Sequence, residues 1–366
     1  MNKYLSKEES TAIKGLLIFI IILGHNAILT NSVKNIMPYV YLFHVKAFFI
    51  LPFFYKSRTT SFKDCALKNF IRLYYPFLLL FIILSLLYYF VSSNIVDPNK
   101  IAKGLDTISD NPLLYFTNTL FTGNAYLIDY FTGYQFLWFL PVMFSLMIIK
   151  NYLQDRKIIR YIALFIGFIL YFVMYSYSKA QSIQELRFNM MLFSPFAIIQ
   201  GIAMYFMGYT CSQIILNDKV CQYLAKCFSA IFIIFSIFVL YKLNQNPDFV
   251  KTCEYGSIIR FIAPFLFMGL LYTLRKLLSR STILIKLGEL SLPIYIFSTL
   301  ICTIFYMIFN RLNAITPSNG IIAQILITII SYYVALLLYR MPTIRKWIFP
   351  RSKEEIFKSR AEPTKN

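Results

Sequence analysis

The sequence predicts an all-α protein, a polytopic bundle of about ten transmembrane helices with both termini in the cytoplasm. Three observations carry that prediction. Of 366 residues, 58% are hydrophobic and 14% charged, against about a quarter charged in soluble domains. The apolar residues fall in repeated stretches of roughly 17 to 27, each able to cross a hydrocarbon core of about 30 Å as a helix. These stretches are continuous, without the apolar and polar alternation of barrel strands.

Ten spans are expected, centred on residues 12–29, 37–55, 70–92, 135–150, 158–176, 188–210, 224–242, 257–274, 284–309 and 321–340. The second carries His44 and Lys46 and is held in the series by its length and flanking charges. Orientation follows from the basic residues, which concentrate in short cytoplasmic loops. With the N-terminus inside, the inner segments hold 26 of the 36 Lys and Arg residues, the outer ones hold nine, and Lys46 is intramembrane. Both ends inside and an even number of spans fit this asymmetry, so the net charge of +20 is read as a topology signal.

Several classes are excluded on the same ground. The cations are spread over six cytoplasmic segments instead of one face, which speaks against nucleic acid and for anionic lipid headgroups. The first apolar run is long and lacks a small-x-small cleavage site, so it is expected to stay in the mature protein. The six cysteines form no Cys-x-x-Cys pair and have no histidine near them; on this topology only Cys253 lies outside. No metal site and no disulfide framework are expected. Residues 1–341 form the membrane domain and 342–366 a basic cytoplasmic tail. The longest loop, 93–134, is placed outside, with Leu113–Leu120 at the interface.

Polar residues inside the membrane point to function, because an ionisable side chain in hydrocarbon is tolerated only where a partner, a cavity or a chemical task compensates. Both histidines of the chain, His25 and His44, fall in the first helical hairpin. At 1.5 Å per residue they lie about 7 Å and 10 Å below the outer rim, at depths that suit one shared pocket. Lys14 precedes His25 by eleven residues, close to three turns, so both side chains project from one helix face, the lysine about 16 Å deeper at the inner rim. Taken alone, Lys14 also fits snorkelling to lipid phosphates, and His44 fits a hydrogen bond between helices.

The run from Lys14-Gly15 to Gly24-His25 resembles the first-helix signature of the membrane-bound acyltransferase-3 family, a basic residue and Gly-His separated by ten residues. Phe43-His44-Val45-Lys46-Ala47-Phe48-Phe49 resembles the family's second-helix Phe-His-Met-Pro-x-Phe-Phe element. Phe70 to Pro76, Leu137-Trp138-Phe139-Leu140 and Leu287 to Tyr295 resemble its third-helix entry, its Trp-Phe stretch and its late Gly-x-x-Ser-x-x-x-Tyr stretch. The likeness covers residues 8 to 341. Lys14 stands where the family usually has Arg, Lys46 where it has Pro, and Asn69 at the first position of its Arg-x-x-Arg.

The resemblance implies O-acylation: an acyl group, most often acetyl from acetyl-CoA, passes to a hydroxyl of a cell-envelope carbohydrate in the bacterial cytoplasmic membrane. No cofactor is bound; acetyl-CoA is a co-substrate. A sugar hydroxyl needs a positioned base, and a buried imidazole is neutral and able to take a proton, which gives that role to His25. Lys14 and Arg72, at inner helix ends, are the donor-phosphate candidates. His44, Glu289, Arg187 and Arg260 are the acceptor or supporting polar candidates. Many relatives carry an added extracytoplasmic hydrolase-like domain, so a separate partner enzyme outside is one expectation and completion within the bundle the other. The rival reading is a transporter or flippase of an envelope lipid or glycan, which also places polar residues in a bundle; paired halves with matched helix breaks, common in transporters, are not found here.

Overall fold

A computed structural model describes residues 3–56, 61–95, 112–175, 195–216, 221–252 and 256–350. Among these the elements are helices and no strand occurs. In chain order they are α1 (Lys7–His25), α2 (Ala27–Ser32), α3 (Ile36–Val40) and α4 (His44–Ile50), the last running into a 3-10 turn, Leu51–Phe54. Then come α5 (Phe62–Asn69), a π turn (Phe70–Tyr74), α6 (Tyr75–Ile95), α7 (Pro112–Thr122), α8 (Ala125–Thr132), a 3-10 turn (Gln135–Trp138), α9 (Phe139–Leu153) and α10 (Lys157–Tyr175). The remainder is α11 (Phe196–Ile215), α12 (Cys221–Gln245), α13 (Phe249–Thr252), α14 (Gly256–Leu278), α15 (Thr282–Glu289), α16 (Ser291–Arg311), α17 (Pro317–Arg340) and α18 (Pro342–Ile348).

Eight helices among the described residues are long and apolar enough to cross a membrane: Ile36–Phe54, Phe62–Tyr89, Gln135–Leu153, Lys157–Met174, Tyr223–Gln245, Gly256–Leu278, Ser291–Arg311 and Pro317–Arg340. Two further expected spans are the 19-residue α1 and the 20-residue α11. The first carries Lys7, Glu8, Glu9 and Lys14, and Gln200 and Gln213 dilute the apolar run of the second.

Several boundaries differ from the sequence reading, each for a local reason. The first span is broken after His25, where Asn26 leaves helical geometry at φ −72°, ψ 88°. The second breaks at Tyr41–Phe43, because the N–H groups of Leu42 and Phe43 reach back three residues, to Tyr39 and Val40, in tightened turns. The 70–92 span starts at Phe62 and passes through the π turn. Pro76 has no N–H for the carbonyl of Arg72 four residues back, and the chain widens so that Tyr75 N–H bonds Phe70 O instead. The 284–309 span is interrupted at Leu290, since Pro293 is at home in the first turn of a helix and not in the middle of one. Part of the expected outer loop, 112–132, is helical, and the basic tail begins with the helix Pro342–Ile348.

The chain divides into two compact units, residues 1–58 with 171–177 and 204–338, and residues 59–170 with 178–203 and 339–366. In the first, α1 is the central strut, packed by α4, α14, α15 and α16. Ala12, Ile13, Leu17, Ile18, Ile21 and Ile22 are all fully buried, so α1 is enclosed by protein on more than one face. Its crossing with α15 is closed by reciprocal glycines. A methyl group on Gly15 would run into the Leu284 carbonyl, and one on Gly288 into the Thr11 carbonyl. Within membranes such small residues let backbones approach and supply the packing that a hydrophobic effect cannot. In the second unit, α9 packs on α5 and the π turn, and α8 on α6.

Candidate active site

The helix that carries His25 is fixed at both ends. At its start Ser6 and Glu9 form a capping box, Ser6 Oγ accepting from Glu9 N–H and Glu9 Oε2 from Ser6 N–H at 2.8 Å. Glu9 also pairs with Arg275 Nε at 3.5 Å, whose guanidinium lies 4.0 Å over the Tyr272 ring. At its end the fully buried Asn26 acts three ways. Its Oδ1 caps α2 at Leu29 N–H, and its Nδ2 donates to Gly320 O at 2.9 Å and to Gln324 Oε1 at 3.3 Å. Gln324 Nε2 then donates to Phe19 O, six residues before His25. Gly320 admits this approach: a methyl group there would press on Leu29 Cα. The imidazole of His25 thus stands on a helix terminus whose position is set by hydrogen bonds, not by apolar packing alone.

The break at Tyr41–Phe43 turns two more rings toward it. Tyr41 Oη lies 3.0 Å from His25 Nδ1, with the rings edge to face at 5.8 Å. His44 places its ring 6.1 Å from that of His25 and 4.7 Å from that of Tyr41. The carbonyl of Val40, which accepts from Phe43 N–H, also accepts from His44 Nδ1 at 2.8 Å. The result is a cluster of two imidazoles and a phenol at the end of the central helix, with Tyr41 40% exposed and His44 2%. Such a cluster can take a proton from an alcohol and hold it.

A family model described as an acyltransferase domain, that of the acyltransferase-3 family, matches residues 8–340. The chain belongs to the acyltransferase-3 family. No curated protein and no solved structure matches it. In this acyltransferase the two histidines singled out from the sequence are brought together, and both lie in the unit built around α1.

The remaining candidates are placed as follows. Arg260 sits on α14, four residues before Pro264, whose missing N–H releases the Arg260 carbonyl from the helix ladder. That carbonyl accepts from Lys46 Nζ at 3.1 Å and from Tyr171 Oη at 2.9 Å. Lys46 is 7% exposed and also reaches Leu42 O at 3.4 Å. The backbone of Arg260 therefore tethers the second span and the end of α10. Lys14 stands 5.7 Å over the Tyr55 ring, on the α1 turn next to Gly15. Tyr55 lies just past the second span, and burial pushes its hydroxyl well above the ordinary phenol range. Arg72 is exposed within the π turn of the other unit. Glu289 is exposed at the end of α15, the helix that crosses α1 at Gly15. Arg187 lies outside the described residues.

Sequence reasoning missed Tyr41, Asn26, Gln324 and Tyr171. Asn26 had a signal, a good capping residue directly after the histidine. Pro264 four residues after Arg260 was another, since it marks a carbonyl in need of a donor. Tyr41 had none, because helical spacing gives no reason to turn it toward His25 until the second span is known to break.

Proposed function

We propose that this acyltransferase moves an acyl group, acetyl in the first instance, from acyl-CoA to a hydroxyl of a cell-envelope carbohydrate, with His25 as general base. The observation that carries the reading is the His25–Tyr41 contact at the end of the buried central helix. In the reactive tautomer His25 Nδ1–H donates to Tyr41 Oη, and Nε2 is the nitrogen that takes the proton of the alcohol. His25 takes the hydroxyl proton as the alcohol oxygen attacks the thioester carbon. The new C–O bond forms, the C–S bond breaks, and the proton passes to the departing thiolate, giving ester and free CoA-SH. The terminus of α1, with its partial negative charge, favours the imidazolium as it forms.

The family match supports acyl transfer, and the eight apolar helices support a multi-pass membrane setting; the bacterial cytoplasmic membrane, the CoA donor and the carbohydrate acceptor belong to this proposal. Lys14 is the phosphate candidate of the α1 unit, and its single ammonium gives a point charge and not the planar fork of an arginine. Arg72 is the basic candidate of the other unit. His44 and Arg260 support the acceptor side, the first through its ring and the second through the carbonyl that anchors Lys46. Glu289 and Arg187 stay as supporting polar candidates, and a separate extracytoplasmic enzyme as the candidate finishing partner.

The test is acyl transfer from labelled acetyl-CoA in membranes holding equal amounts of wild type and His25→Ala, with mass spectrometry of envelope glycans for a gain of one acyl mass. Loss of a general base predicts a fall of about a hundredfold or more. Full transfer by His25→Ala overturns the assignment. Unchanged glycans, with lipid-linked sugars redistributed across the bilayer, give the protein to transport instead.

A further inference from the structure

Resting on the reading of His25 as the base, the geometry of His44 narrows the acceptor. A backbone carbonyl only accepts, so the 2.8 Å contact with Val40 O puts the proton of the neutral ring on Nδ1 and leaves Nε2 as a bare lone pair. That nitrogen is buried and has no hydrogen-bond partner among the described residues. Its direction is known: a methyl group built on Gly24 would lie 3.8 Å from His44 Nε2, so it faces the last turn of α1, one residue from His25. Buried acceptors of this kind are rare in folded proteins and call for a donor. The two imidazoles stand 6.1 Å apart, and the Tyr41 ring beside both is the more exposed member of the cluster, 40% exposed against 2% for His44.

We propose that His44 Nε2 accepts a hydrogen bond from a second hydroxyl of the acyl acceptor, adjacent to the one that His25 deprotonates, so that this enzyme selects vicinal diols. One hydroxyl loses its proton to His25 and becomes the ester oxygen. Its neighbour keeps its proton and donates it to His44, which fixes the orientation of the ring that bears both. His44 is therefore a binding and specificity residue and takes no proton in the reaction. Sugars with adjacent free hydroxyls satisfy the site. Simple alcohols leave the His44 lone pair unmet, the situation in which a polar pocket discriminates most strongly.

The probes are trans-1,2-cyclohexanediol and cyclohexanol, which differ by the one hydroxyl in question. The protein is the full chain, purified in a detergent without a sugar headgroup. Three forms are compared: wild type; His44→Asn, whose amide still reaches Val40 O but offers nothing at the Nε2 position; and His44→Gln, whose carbonyl oxygen reaches that position. Thermal unfolding without acyl-CoA reads binding alone. The diol is expected to raise the wild-type Tm by about 2 °C more than cyclohexanol does at equal concentration. That difference vanishes in His44→Asn and returns in His44→Gln. Acetyl transfer to the same probes is the second arm: about a tenfold preference for the diol, expressed in KM for the alcohol and not in KM for acetyl-CoA. No diol-specific shift in wild type, which includes the case of a bound water only, overturns the proposal, as does a shift kept in full by His44→Asn. If His44→Asn fails to fold, the wild-type comparison still decides. A diol-specific shift without transfer to either alcohol leaves His44 as a diol site and counts against the acyltransferase reading instead.

Discussion

The tether at Arg260 makes an unusual prediction about Pro264. In an ordinary helix interior, replacing proline by alanine stabilises by up to about 3 kcal/mol, because it restores a hydrogen bond and removes a clash. Here the carbonyl that would receive the restored N–H already has both lone pairs engaged, by Tyr171 Oη at 2.9 Å and Lys46 Nζ at 3.1 Å. A third donor must displace one of them, and the longer lysine contact is the one to yield. Lys46, 7% exposed, then loses its contact with α14 and keeps the one at 3.4 Å with Leu42 O on its own span. Hydrogen bonds between membrane helices average about 0.6 kcal/mol and reach about 1.7, and those from amines sit at or above the upper part of that range. A coupling of about 1–2 kcal/mol between positions 46 and 264 follows. Pro264→Ala should stabilise the wild type by about 1–2 kcal/mol less than it stabilises a Lys46→Met background. The assay is a double-mutant cycle of unfolding in mixed micelles. Equal effects of Pro264→Ala in both backgrounds, within about 0.5 kcal/mol, refute the shared carbonyl as the link.

Three further outcomes are expected. Tyr41→Phe removes the hydroxyl at His25 Nδ1 while keeping the ring beside both histidines, so kcat should fall about 10- to 100-fold with little change in KM for acetyl-CoA, measured in membranes; an unchanged kcat removes Tyr41 from the mechanism. Asn26→Ala strips the cap of α2 and leaves Gly320 O and Gln324 short of a donor in a fully buried site, which costs about 2–4 kcal/mol in micellar unfolding. Gly288→Ala forces α15 off α1 at the Thr11 carbonyl; overpacking at a close helix crossing costs about 1–3 kcal/mol, and the yield of folded protein on gel filtration should drop more than for alanine at the adjacent, exposed Glu289.

The family, the membrane setting and the closeness of the two histidines were legible in the sequence. Composition alone requires backbone groups to be satisfied inside helices. An imidazole in the first span is conspicuous because hydrocarbon cannot solvate it, and the pairing of His25 with His44 follows from the shortness of the hairpin that joins their segments. The breaks at Asn26, Pro76 and Pro293 fall inside runs read as continuous spans, because their signals lie in single residues and not in periodicity.

Charge, hydropathy and helix pitch are local properties, so the sequence by itself determined a helical membrane bundle and put two histidines at one end of its first hairpin. What occupies the space around them is a property of residues far apart in the chain. Gly320 and Gln324 hold Asn26 from almost three hundred positions away, Gly288 lets α15 onto α1, and the carbonyl released by Pro264 is claimed by Lys46 and Tyr171. Only the tertiary structure decided these, because a hydrogen bond or a helix crossing depends on which surfaces meet, and no one-dimensional pattern records that.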